Sequence, residues 1–290
     1  MLARFADINM ALAATVAAPA GGWATSLPAA NVASDVDPVG APARCIAPGD
    51  LALSRLELVW PHAFVPTQAG VYFHTLSLGA RVRITASTLA DTTYATPTIS
   101  TGWQWVYPSL YDPIELEAWM ENFLSGTVTS EAVALTRQHL TLPLAPGLMQ
   151  RMRFEFDDQE HPRPWFDVGF AHVAATLSPL INFDRPRDLT VSPRDQIDVA
   201  PSGRRFYDVR AAQRVLSVSW SNLTDAEARR FVDAALRARQ VGTVILVPDI
   251  TDPASTFREA FPATFGKLPD ARLSWPGLAR TAFTLEERLA

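Results

Sequence analysis

Among its 290 residues the chain has a single cysteine, Cys45, and a single lysine, Lys267. One thiol excludes an intramolecular disulfide and any zinc site built from several thiolates, so burial and hydrogen bonding must hold the fold. Charge is sparse as well: 19% of residues are charged, against about 25% in an average soluble protein. A net charge of -5 supplies no overall positive field, which argues against nucleic acid as a partner. No run of about 20 apolar residues occurs, so no membrane-spanning helix is expected. The opening MLARFADINMALAATVAAPAGG has a basic residue and a short apolar run, but Asp7 and Asn9 stand where a secretory leader avoids them.

Recognisable catalytic patterns are missing too. No G-x-S-x-G is present for a nucleophilic serine, and Cys45, in ARCIAPG, has no neighbouring histidine. Gly266-Lys267 lies between Phe265 and Leu268 and fits neither a phosphate loop nor a dinucleotide turn. Two acidic clusters invite a metal reading: Asp157, Asp158, Glu160 and His161 in FDDQEH, and Asp35 with Asp37. Neither has the spacing of a calcium loop or a zinc helix, and FDDQEH reads as a solvated turn. His62, His74, His139 and His172 are isolated and read as partly buried, hydrogen-bonded side chains. No catalytic residue, cofactor or metal is therefore expected, and the chain is not expected to be an enzyme.

What the chain has in quantity is apolar surface and turn residues: 48% hydrophobic, with 23 prolines and 14 glycines. That texture suits short strands joined by turns, and the length suits two domains. Residues 1–180 hold 16 acids and 9 arginines, whereas residues 181–290 hold 14 acids and 16 basic residues. The asymmetry supports a boundary near 180 and lets unlike halves of neighbouring copies attract.

Residues 1–50 show little periodicity and read as an arm or loop. LALSRLELVW (51–60) alternates, with a phase slip at Ser54 that predicts a bulge or bend. VYFHTLSL (71–78), ARVRITAS (80–87), GWQWVY (102–107), RMRFEF (151–156) and FDVGFAHVA (166–174) are further strands, and their spacing points to a sandwich. DPIELEAWMENFLSG predicts a short helix or a compact loop over one end of the sandwich: as a helix, Asp112 caps it, Pro113 opens it, and Leu116, Trp119, Met120, Phe123 and Leu124 share a face before Gly126. After Leu180 come polar edge strands with a turn at Pro201-Ser202-Gly203. RVLSVSWSN places Leu216, Val218 and Trp220 on one face. In the helix that follows, Thr224 and Glu227 form a capping box, and Ala228, Phe231, Val232, Ala235 and Leu236 form the apolar stripe up to Gly242. TVILVPD and ARTAFTLEE (279–287) add two strands.

Trp103, Trp105 and Tyr107 are spaced two apart, so a strand through Tyr107 presents all three on one face. Such a platform packs a core or a subunit contact, or alternatively stacks on sugar rings. These three residues are the candidate binding face.

Taken in order, LPAANVAS (27–34), SRLELVWPH (54–62), ARVRITAS, ELEAWMENFLSG (115–126), MRFEFDDQEHPRPWFDVGFAHV (152–173) and the span 204–249 resemble minor tail proteins of siphophages and related prophages. The resemblance implies a mainly β chain: an N-terminal discoidin-like (galactose-binding-like) jelly-roll sandwich and a smaller C-terminal β domain carrying one α-helix. It implies residues 1–50 as an arm, 51–178 as the sandwich and 179–290 as the tail domain. The function it implies is structural, at the distal tail or tail tip of a virion assembled in the host cytoplasm. Its implied partners are other copies in a ring, tail tube, tape-measure end and baseplate hub proteins, with a host surface glycan as the alternative ligand.

Overall fold

Alternation of apolar and charged residues builds the larger of two units in the computed structural model, which describes residues 3–111, 122, 126–135, 138–184, 187–275 and 277–289. This unit comprises residues 9–176 with 250–258. Its strands are β2 (Thr15–Ala17), β3 (Ala43–Cys45), β4 (Arg55–Phe64), β5 (Gln68–Tyr72), β6 (Arg81–Ser87), β7 (Ile99–Trp105), β8 (His139–Pro143), β9 (Met149–Asp157), β10 (Phe166–Val168) and β11 (Phe170–Ala174). One antiparallel sheet runs β2-β4-β9-β6-β7, a second runs β11-β5-β8, and β3 pairs with β10. From β4 onward the chain crosses repeatedly between the two main sheets, with β6 and β7 as a hairpin in the first and β10 paired outside both, the path of a jelly roll. Leu56, Leu58, Val82, Ile84, Met152 and Phe154 on the first sheet share one buried cluster with Val71, Leu140 and Val173 on the second. The mainly β sandwich expected from the spacing of the strands is thus the observed fold.

Several local expectations need correction. Residues 51–53 form a turn, not a strand with a bulge: the amides of Leu53 and Ser54 both donate to the Asp50 carbonyl, at 3.0 and 2.8 Å. The Ser54 hydroxyl then donates to the Phe156 carbonyl at 2.6 Å, so the phase slip marks the entry to β4. FDVGFAHVA splits at Gly169, because β10 pairs with β3 while β11 pairs with β5. A Cβ on Gly169 would lie 2.7 Å from the Pro38 carbonyl oxygen, so only glycine fits at this crossing. Apart from Asn122, the helix expected over 112–125 lies outside the described residues. The short α1 (Ser130–Leu135) follows it.

The smaller unit comprises residues 1–8, 177–249 and 259–289. Its strands are β1 (Arg4–Ala6), β12 (Asp188–Ser192), β13 (Gln196–Val199), β14 (Arg205–Asp208), β15 (Gln213–Leu223), β16 (Val244–Val247), β17 (Pro262–Trp275) and β18 (Leu278–Glu287). Six of them form one antiparallel sheet, in the order β1-β16-β17-β18-β15-β12. On it packs α2 (Asp225–Ala238), whose capping box is present: the Glu227 amide donates to Thr224 Oγ1, and the Thr224 amide donates to the Glu227 carboxylate. The buried stripe of α2 is Ala228, Phe231, Ala234, Ala235 and Ala238, whereas Leu236 is 69% exposed. The stripe is rotated from the expected one because Phe231 seats between Phe5 and Trp220, and alanines three and seven residues on line up beneath it. Arg239, at φ 52°, caps the helix in the place expected of Gly242.

Residues 1–50, read from sequence as one arm, are divided between the units. β1 pairs with β16 through Phe5↔Leu246, while β2 pairs with β4 and β3 with β10. The separation is chemical: Phe5 has no exposure and its ring lies 5.4 to 6.1 Å from those of Phe231, Phe283 and Phe265. A fully buried phenylalanine truncated to alanine costs about 3–5 kcal/mol. Phe5→Ala is therefore expected to destabilise the unit that holds residues 177–249 by that amount, read as a lowered urea midpoint for the loss of amide protection in β15 and β18. A midpoint unchanged within error would show that β1 is not part of that core.

Candidate functional site

The strand residues that do not enter the sandwich core make a continuous polar face on the five-stranded sheet. Its rows follow from register. Trp105 stands opposite Arg81 and Arg81 opposite Asp157; Trp103 opposite Arg83, Arg83 opposite Glu155, and Glu155 opposite Arg55. In the next row Thr85, Arg153, Glu57 and Ala17 are neighbours. Unlike charges directly opposite each other are the favourable cross-strand arrangement.

The arginines of β6 and β9 in these rows are all paired, whereas Arg55 forms no ion pair with Glu155. Arg83 donates from Nε and Nη2 to the two oxygens of Glu155, at 2.7 and 2.9 Å. Arg81 donates from Nε to Asp157 at 3.1 Å and also from Nη2. Glu57 accepts from Arg151 at 3.1 Å and from Arg153 Nε and Nη2 at 2.9 and 2.6 Å. The aromatic rings sit over the guanidiniums: Arg83 lies 4.7 Å from the Trp103 ring centre, Arg81 5.4 Å from that of Trp105, and Arg153 4.1 Å from that of Tyr94. Contacts of this kind strengthen as water is excluded.

A bulge aims the two tryptophans. β7 gains one residue on β6 between the pairs Arg83↔Trp103 and Thr85↔Ser100. Gly102 takes up the extra residue at φ 64°, a conformation in which a side chain is strained. Without it Trp103 and Trp105 would turn to the opposite face.

Tyr107 does not join them. β7 ends at Trp105, the Val106 amide donates to the Ala80 carbonyl at 3.0 Å, and Val106 and Tyr107 are both buried. The Tyr107 ring packs against His74 and against Phe257 of α3 (Pro253–Glu259), and burial raises the pKa of its hydroxyl. The three-residue platform thus reduces to Trp103, which is half-buried, and Trp105, which is 55% exposed. Arg81, Arg83 and Tyr94 join the face in its place. The arginines were legible as the residues opposed to Val82 and Ile84, but nothing in the sequence placed Tyr94, which reaches the face from a loop.

The remaining candidates are structural. Asp158 is buried and accepts from the Ser77 amide at 3.0 Å and from its hydroxyl. Asp157 is held by Arg81, His161 Nε2 lies 2.9 Å from the Thr75 carbonyl, and Glu160 is exposed. FDDQEH is therefore a bonded latch, not a solvated turn. Asp37 accepts from the Gly40 amide at 2.8 Å within its own turn. Among the described residues no three acids, histidines or cysteines converge as a metal site. Cys45 is buried, and burial raises its thiol pKa to about 11. No helix among the described residues is long and apolar enough to cross a membrane.

No protein-family model and no curated protein matches the chain. Among solved structures, CBM32-1 from a family 31 glycoside hydrolase of Clostridium perfringens is similar at 10% identity over 56% of this chain and 94% of that one, with a TM-score of 0.33. That likeness is too distant to assign a family.

His62 is exposed, whereas His74 and His172 are buried with neither ring nitrogen hydrogen-bonded to any described residue. Burial lowers the pKa of each from 6.5 to about 3. The folded state therefore binds fewer protons than the unfolded state between those values, and stability rises with pH across that window. Urea unfolding is expected to show full stability above pH 6.5 and a progressive loss toward pH 4. His172→Leu should flatten that slope, and an equal slope in wild type and variant would contradict the assignment.

Proposed function

We propose that this protein is a non-catalytic structural subunit of a larger assembly, and that the assembly is a bacteriophage tail. The observation that carries the reading is a ribbon in the smaller unit. β12 and β15 pair out to Ser192↔Gln213, and the intervening residues continue as the hairpin of β13 and β14, turned at Pro201-Ser202-Gly203. Every residue of β12, β13 and β14 is exposed. Ile197 stands directly opposite Tyr207 with Val199 beside them, at 55%, 60% and 62% exposure.

A two-stranded hairpin in water is marginal by itself, and apolar side chains gathered on one of its faces mark a contact surface. Covering each large apolar side chain contributes about 1.5–3 kcal/mol. A ribbon of this kind suits a chain whose neighbours complete it. The distal-tail or tail-tip placement, with copies in a ring against tail tube, tape-measure end and hub proteins, rests on the ordered resemblance of segments described above.

Sedimentation of the purified chain tests the assembly step. Wild type is expected to associate as concentration rises, and the double variant Ile197→Asp, Tyr207→Asp to remain monomeric with an unchanged thermal transition. A wild-type chain that stays monomeric at high concentration, together with phage particles whose tails lack it, would overturn the reading.

A further inference from the structure

The exposed end of the charged face differs from its centre in a way that charge counting hides. The Arg81 and Arg83 side chains are 42% and 37% exposed, whereas those of their partners Asp157 and Glu155 are 9% and 12% exposed. Toward Glu57 the arginines are covered as well, Arg151 and Arg153 at 14% and 13%. Solvent beside Trp103 and Trp105 therefore meets guanidinium and indole, with the carboxylates behind them.

An arginine has five N–H donors in a fixed fork. Arg81 and Arg83 each spend Nε and Nη2 on their carboxylate, which locks the guanidinium and leaves the Nη1 edge without a hydrogen-bond partner among the described residues. Two residues apart on one strand, they present a pair of cations about 6.6 Å apart. Arg55, in the same row, has no ion-pair partner among the described residues and lines a shallow hollow of about 220 Å³ with Ala17, Ala18, Pro19 and Glu57.

We infer that the face of Trp103, Trp105, Arg81 and Arg83 binds an acidic polysaccharide, with a sugar ring on the exposed Trp105 indole and the uronate carboxylates on the arginine forks. Charge complementarity selects the occupant: a planar carboxylate fits the free edge of a guanidinium in two-point contact. A flat ring with an apolar face suits an indole left uncovered at a sheet edge. On the side of the arginines the two indoles are bordered by charge and not by the apolar centre that a protein interface needs. The forks are already held by their ion pairs, so little side-chain entropy is lost on binding. This site is on the larger unit and is independent of the ribbon on the smaller one.

The test is titration of the full chain with polygalacturonate, with dextran as the neutral polymer and polyuridylate as the phosphate polymer. Polygalacturonate is expected to bind, more weakly as salt is raised from about 0.05 to 0.5 M, as screening requires. Trp105→Ala, at an exposed site, should weaken binding about tenfold or more with an unchanged thermal transition. The double variant Arg81→Lys, Arg83→Lys keeps the charge but loses the fork, and should weaken it comparably. Absence of polygalacturonate binding, equal binding of dextran, tighter binding of polyuridylate, or variants that bind like wild type would each overturn the inference.

Discussion

The sandwich depends on the two-sidedness of β9. Its inward residues Met152, Phe154 and Phe156 are fully buried, and its outward residues Arg151, Arg153, Glu155 and Asp157 each find an opposite charge on β4 or β6. A shift of one residue in its pairing would put all four charges into the core, so register is set from both faces at once. Removing one partner would strand the other, at a cost that is largest where both sides are covered, at Glu57 with Arg151 and Arg153. The same strand thus holds the core, orders the charged rows and backs the arginines that stand beside Trp103 and Trp105.

The smaller unit solves a different problem. Its sheet is long at β17 and β18 and is covered by α2, with an aromatic cluster of Phe5, Trp220, Phe231 and Phe283 between. Beyond Ser192 and Gln213 no described residue of the unit covers the ribbon, and its apolar residues are exposed. The same chain buries Phe5, one of its first residues, without residue. Economy in one place and exposure in another is what a subunit completed by neighbours looks like, and it is the basis of the assembly reading.

Much of this was legible because burial leaves a period. RVLSVSWSN, the Thr224 and Glu227 capping box, TVILVPD and ARTAFTLEE each show theirs, and β15, α2, β16 and β18 stand there. β17 was not legible: Pro262, Gly266 and Pro269 interrupt it, and its pairing with β18 shifts register at Phe265/Lys267 and Lys267/Asp270, so alternation is lost within the strand. β1, β2 and β3 have three residues each, too few for a period to show. Spacing of two put Trp103 and Trp105 on one face correctly in relation to each other. It could not show that the strand stops before Tyr107, because that stop is set by the Val106 bond to Ala80. The ion pairs were not legible at all, since they join strands some 70 to 100 residues apart.

In the proposed assembly the ribbon is a contact element completed by other copies. Hydrogen–deuterium exchange of the amides in 193–212, compared between dilute monomer and assembled particle, reads whether the ribbon is covered. Rapid exchange is expected in the monomer and strong protection in the particle, with the amides of β9 protected in both. Ribbon amides that exchange equally fast in both states would contradict it.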